Sequence, residues 1–309
     1  MLIDVLSSVV PTPEAFGAAE ATLARMRGYQ QHFTAGAAKV PLVGDASELR
    51  AAIEESDARG RAACPTQAQF DQMLDDAEVS TAVVYTEYYE TSLGIKTVSN
   101  DVVADYVARD PGRLLGLAGV DPWKDDAVSE TQRALADLGL RGIVLSPFKQ
   151  RLDPSDARMA RIFGLCEELG VPVFLHTGIN WWVDTTYEIG HPRHIDRLAS
   201  SFPNLKIVAL HCGWPWVEDM MMVAWRHANI YLDISAHRPK HMTIPDSGWS
   251  PLLYWGNRML SNRVVFGSTW TLIGMSIKDL ADEVRALPLK DEVIERWLHG
   301  NAERLLGLA

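Results

Sequence analysis

The strongest constraint on this chain is rhythm. From about residue 80 onward, short runs rich in β-branched residues alternate with stretches of helical period. The strand candidates are TAVVYT (81–86), LLGLAGV (114–120), GIVLS (142–146), VPVFLH (171–176), KIVALH (206–211), IYLDIS (230–235) and RVVFGS (263–268). LIDVL at the N-terminus makes eight. Between the fourth and fifth runs, Met159, Ile162, Phe163, Cys166 and Leu169 share one helical face, with Ser155 or Asp153 as N-cap and Gly170 as the stop. Further helices are expected at 99–109, 126–138, 191–201, 215–228, 251–260 and 276–286. Eight strands alternating with helices predict an α/β fold of the (β/α)8 TIM-barrel type rather than an open doubly wound sheet. No glycine-rich dinucleotide fingerprint or P-loop follows any strand.

The irregular part is 12–78, where two helical segments (about 14–31 and 46–59) separate the first strand from the second. It has too few large apolar residues for a core of its own. It is therefore read as an insertion covering one mouth of a single barrel domain spanning 1–309. A formal charge of -11 and a pI near 5.3 argue against nucleic acid or an anionic membrane as a partner, since either needs clustered Lys and Arg. Cys64, Cys166 and Cys212 are widely spaced with no CxxC, so neither a disulfide framework nor a cysteine zinc site is suggested. No apolar run reaches the roughly 18 residues of a membrane span, and Asp4 interrupts the only run resembling a leader. A cytoplasmic location is the expectation.

Barrels of this kind collect their chemistry at the C-terminal ends of the strands. In strand order those ends carry Leu6-Ser7-Ser8; Glu87 and Tyr88; Asp121 and Trp123; Ser146, Lys149 and Arg151; His176, Trp181, Trp182 and Asp184; His211, Cys212, Trp214 and Trp216; His237 and Arg238; and Thr269 and Trp270. His176 and His211 stand at the ends of successive strands, and imidazole exchanges protons near neutrality without help from a metal. A histidine at a strand end is also a common structural residue, a reading that weighs most for His237. Eight of the ten tryptophans fall in these post-strand segments, which fits either loop-to-helix packing or an aromatic-walled pocket. Glu87, Tyr88, Asp184, Tyr187 and Glu188 can donate, accept or orient, and Lys149, Arg151 or Arg238 can meet a substrate carboxylate.

Several segments resemble a known family. VFLHTG (173–178), FPNLKIVALHCGWPW (202–216), NIYLDISA (229–236), RVVFGSTW (263–270) and HGNAERLLGL (299–308), with RLLGLAGVDP (113–122) and LGLRGIVLSP (138–147), are similar to amidohydrolase-related proteins of the aminocarboxymuconate-semialdehyde decarboxylase type. The resemblance implies one divalent metal, held by a His-x-His after strand one, a His after strand five and an Asp after strand eight. It also implies that the His after strand six is the acid–base catalyst. In this chain Leu6 and Ser8 stand at the His-x-His positions and Thr269 at the Asp position, while His176 and His211 match. Zinc asks for about three N, S or carboxylate ligands, and a neutral hydroxyl is a poor substitute.

The expectation is a metal-independent acid–base enzyme, a lyase such as a decarboxylase, or a cyclase or isomerase, acting on a small cyclic or aromatic, possibly carboxylated substrate. His176 and His211 are the expected catalysts, with no cofactor. Glu87, Tyr88, Trp181, Trp182, Asp184, Trp214, His237, Arg238, Thr269 and Trp270 are the expected substrate contacts. The alternatives are a hydrolase of a lactone, amide or other activated acyl group, with or without one divalent metal (Zn or Mn) on His176 and His211, and a non-catalytic ligand-binding pseudoenzyme. Related barrels often pair, so a homodimer is expected by analogy.

Overall fold

The computed structural model describes residues 1–23, 46–180, 182 and 185–308. Each of the eight apolar runs forms a strand: β1 Leu2–Val9, β2 Val79–Tyr85, β3 Leu114–Gly119, β4 Ile143–Leu145, β5 Val173–His176, β6 Ile207–Leu210, β7 Ile230–Asp233 and β8 Val264–Val265. All neighbours pair in parallel, in chain order from β1 to β8. The ring closes through individual hydrogen bonds. Val5 N–H donates to the Phe266 carbonyl and Thr269 N–H to the Leu6 carbonyl, each at 2.9 Å. The Asp4 carboxylate accepts from Ser268 N–H (2.8 Å) and from the Ser268 hydroxyl (2.5 Å).

The period-two side-chain direction of each strand divides its apolar residues between two cores. Val83, Leu117, Val144, Phe174, Val208 and Val265 fill the barrel interior. Val84, Ala118, Ile143, Val173, Ile207 and Val264 face the surrounding helices. Because both faces are buried, the strands read as nearly continuous apolar runs.

β1 differs from expectation. The predicted strand stopped at Leu6, whereas the observed one continues to Val9 across a register shift between Asp4 and Ser8. Inside this bulge the Asp4 carboxylate accepts the Leu6 N–H (3.4 Å), so a side chain takes up an amide released by the irregular ladder. Leu6, Ser7 and Ser8 therefore lie within the strand.

Helices occupy Asn100–Val107, Ala127–Ala136, Ala157–Leu169, Pro192–Ser201, Val217–Arg226, Ser250–Gly256 and Ile277–Arg285, close to the predicted positions. The helix after β4 is capped by Asp156, whose carboxylate accepts the Arg158 N–H at 2.9 Å, and not by Ser155 or Asp153. Asp153 instead accepts from the Ser155 amide and hydroxyl and shapes the preceding turn. In the insertion, helices Pro13–Leu23 and Ala46–Ala63 pack together, and the remainder of the expected 14–31 helix falls outside the described residues. A third helix, Gln67–Asp76, was not predicted, although Thr66-x-x-Gln69 is a capping box and its sequence signal. Among the described residues no helix is long and apolar enough to cross a membrane.

Candidate active site

At the C-terminal mouth of the barrel lies a cavity of about 180 Å³. A cavity of about 150 Å³ suffices for a benzene ring, so this one suits a small cyclic molecule. Strand ends supply Leu6, Val9, Tyr85, Glu87, Val144, Ser146, His176, Thr177, Leu210, His211, Ala236, His237 and Thr269 to the lining. Helix Pro13–Leu23 adds Phe16, Ala19, Glu20 and Thr22 from above, so residues of the 12–78 segment form part of this wall.

Three lining residues are histidines in or near contact. The His176 ring lies 5.0 Å from that of His211 and 4.4 Å from Phe148. The His237 ring sits between Trp214 (5.4 Å) and Trp249 (4.9 Å). Burial pushes the His176 pKa well below the usual imidazole value, helped by nearby His211 and Lys149. Burial likewise takes His211 down to about 4, against the hydrogen bond to Ser235, and His237 down to about 3. All three are neutral at neutral pH, so each ring offers one acceptor and one donor nitrogen and no charge. His211 and Cys212 also hold left-handed backbone, with φ 61° and 54°, an unfavourable conformation for non-glycine residues that turns the chain sharply off β6.

The turn is secured from below by residues that sequence reasoning did not select. Asp233, at the end of β7 and fully buried, accepts the His211 N–H (3.2 Å), the Ser235 N–H (3.1 Å) and the Ser235 hydroxyl. The Ser235 oxygen lies 2.9 Å from His211 Nδ1. Burial raises the Asp233 pKa to about 7, and the charge of Asp4 adds to the rise; burial raises Asp4 to about 6. The available signal was an aspartate inside an otherwise apolar strand, in IYLDIS and again in LIDVL, because a buried carboxylate requires dedicated hydrogen-bond donors.

Of the remaining sequence-selected residues, Glu87, Trp182, Trp214 and Thr269 line the cavity. Glu87 accepts from the Ser146 hydroxyl and from Lys149 Nζ, and Lys149 is the one Lys or Arg in the lining among the described residues. Trp182 is buried edge-on to Phe148 at 5.0 Å, and the Trp214 indole N–H donates to the Ser247 carbonyl. The Thr269 hydroxyl accepts the Ala236 N–H at 2.8 Å. Tyr88, Arg238 and Trp270 lie outside the lining. The Tyr88 hydroxyl accepts the Asn100 N–H (2.6 Å), Arg238 pairs with Glu283, and Trp270 packs on Phe16. Trp181 and Asp184 fall outside the described residues. Elsewhere the tryptophans do packing work: Trp123 lies under the Arg158 guanidinium and Trp216 stacks on Tyr187.

A sequence profile of the amidohydrolase family matches residues 28–308. The chain belongs to that family. It is 31% identical over 171 residues to gamma-resorcylate decarboxylase of Rhizobium radiobacter, covering 46% of this chain and 50% of that one. It is 29% identical over 109 residues to 2-amino-3-carboxymuconate-6-semialdehyde decarboxylase of Dictyostelium discoideum, covering 33% and 30%. The aligned span thus reaches half or less of these curated relatives' lengths. A crystal structure of a dihydroxybenzoic acid decarboxylase from Polaromonas sp., with manganese and 2-nitroresorcinol bound, superposes with a TM-score of 0.67 at 17% identity, covering 99% of this chain and 97% of that one. That last likeness concerns the fold.

The divalent ion implied by the family resemblance can be tested against the donors in this amidohydrolase. Leu6 offers hydrocarbon, Ser8 a hydroxyl, and Thr269 a hydroxyl already engaged with the Ala236 amide. Among the described residues no group of three His, Cys, Asp or Glu side chains is placed to hold a metal. This donor set does not fit a tightly held divalent ion, which draws on imidazole, thiolate or carboxylate.

Proposed function

We propose that this amidohydrolase is a metal-independent acid–base lyase of the decarboxylase type, acting on a small aromatic or cyclic acid. The observation that carries the reading is the pair of partly buried, neutral imidazoles, His176 and His211, in contact at the wall of an aromatic-lined cavity. A neutral imidazole suits a reaction that takes a proton from one substrate atom and returns it to another, because the imidazole begins and ends without charge. For a ring acid bearing an adjacent hydroxyl, one histidine takes the hydroxyl proton and passes it to the ring carbon that carries the carboxylate. The C–C bond then breaks, carbon dioxide leaves, and the electron pair restores the aromatic ring as a phenolate, which takes a proton from water. An imidazolium formed in this cavity is a strong acid, since burial disfavours its charge, and so is suited to protonating carbon. The decarboxylase relatives support the reaction class.

A second reading follows from Lys149. Its ammonium is held by Glu87, so an uncharged ring ester also suits the cavity electrostatics. In that reading, a lactone hydrolase, a neutral histidine takes the proton of the attacking water.

The test is a panel of hydroxybenzoic acids, other cyclic acids and lactones, assayed on protein stripped with a chelator and checked for residual metal. We expect carbon dioxide release that survives stripping and drops by about 100-fold or more in His176→Ala and in His211→Ala. Turnover that requires added manganese or zinc overturns the metal-independent reading, and turnover indifferent to both histidines overturns their role. Ring opening of lactones without carbon dioxide release selects the second reading.

A further inference from the structure

An imidazole does acid–base work only if the nitrogen facing the substrate is in the right form, bare to accept a proton or protonated to donate one. For His211 that form is set behind the ring. Nδ1 lies 2.9 Å from the Ser235 oxygen, and the Ser235 hydroxyl donates to Asp233. A carboxylate only accepts, so the single Ser235 proton is committed to Asp233, leaving lone pairs toward the ring. While Asp233 is ionised, His211 must then carry its proton on Nδ1 and present bare Nε2 to the cavity.

The couple is built to stay in place. Asp233 and Ser235 are both buried, and the second carboxylate oxygen of Asp233 accepts the Ser235 N–H. Asp233 also accepts the backbone N–H of His211 itself, fixing the residue at both its main chain and its ring. Just beyond the neighbouring strand β8, Gly267 leaves the room: a Cβ there would stand 2.5 Å from the Asp233 carboxylate and 3.0 Å from Ser235 Cβ.

We propose that Asp233 and Ser235 are positioning residues that lock His211 in its Nδ1–H tautomer and so aim a proton-accepting Nε2 into the cavity. The proposal deepens the acid–base reading of His211 and rests on it, yet the tautomer can be read without any substrate. Protein labelled with nitrogen-15 at histidine is examined by NMR at about pH 9, where Asp233 is ionised, and His211 is assigned by its loss in His211→Gln. We expect a pyrrole-type Nδ1 and a pyridine-type Nε2 in the parent protein. In Ser235→Ala the hydroxyl partner of Nδ1–H is gone and only the main-chain contact with residue 235 is left, so the share of the Nε2–H form should rise. An Nε2–H ring in the parent overturns the proposal even if Ser235→Ala fails to fold. An unchanged Nδ1–H ring in a folded Ser235→Ala variant overturns it too.

On a substrate found by the panel, Ser235→Ala should lower kcat by about 10- to 100-fold with KM little changed. A variant that changes tautomer yet keeps full kcat overturns the acid–base role of His211 and leaves the tautomer lock standing.

Discussion

At the cavity wall and just behind it, burial is the main force pushing neighbouring side chains in opposite protonation directions, because it disfavours whichever form carries charge. Histidines there lose affinity for protons and carboxylic acids gain it. Glu87 is held differently, paired with Lys149 Nζ on one carboxylate oxygen and with the Ser146 hydroxyl on the other. Lys149→Met should therefore destabilise the fold by about 2 kcal/mol in urea unfolding, because it strands a carboxylate among aromatic neighbours. Glu87→Gln keeps an acceptor for Ser146 and should cost less. His176 and His211 were legible in the sequence because imidazole at the end of an apolar run is rare and chemically distinctive. For Asp233 and Ser235 the signal was partial: an aspartate in an apolar strand marks a buried carboxylate, but its link to His211 appears only once β6 and β7 lie side by side.

Among the elements, the helix after β4 shows how local signals succeed and where they slip. Its apolar face and the left-handed Gly170 (φ 69°) stand where the periodicity puts them, whereas the cap moved to Asp156. Three acceptors stand within four residues, and only the path of the chain decides which one meets the first free amides. Asp156→Ala should cost about 1 kcal/mol of stability, measurable as a lower melting temperature, while Ser155→Ala should cost less.

The loop after β5, which carries Trp182, is pinned by a close approach no spacing reveals: Gly178 N–H donates to the Gly190 carbonyl at 2.8 Å. A Cβ on Gly190 would stand 2.0 Å from the Gly178 carbonyl oxygen. Gly190→Ala should thus destabilise by about 1–3 kcal/mol and displace the Trp182 wall, seen as a change in tryptophan fluorescence.

For the whole molecule, these perturbed groups set how stability responds to pH. His176, His211 and His237 titrate below the unfolded value of about 6.5, so in acid the unfolded chain binds more protons than the folded one. Their stabilising contribution is complete above that value and is lost as pH falls toward their folded values. Asp4 and Asp233 act in the opposite sense. Raised to about 6 and about 7, they contribute most below about pH 4 and lose that contribution as pH rises through the folded values. With three histidines against two aspartates, the fold should weaken between about pH 6.5 and 5. In His237→Phe the loss over that interval should shrink by about 2 kcal/mol, read by urea unfolding at both pH values.

Residue order was enough to specify the barrel, because eight apolar runs separated by amphipathic segments have few other ways to bury both strand faces. It also determined which ends carry imidazole, and that hydrocarbon and hydroxyl groups stand at Leu6, Ser8 and Thr269. Tertiary structure alone decided which candidates share one cavity, gathering His176, His211 and His237 while leaving Tyr88, Arg238 and Trp270 outside it. It also joined Asp233 to His211 through Ser235, residues 22 and 24 positions away in the chain. Side-chain period is a local property that a sequence displays, whereas contact between strand ends depends on barrel curvature, bulges and loop paths, which arise from the whole chain at once.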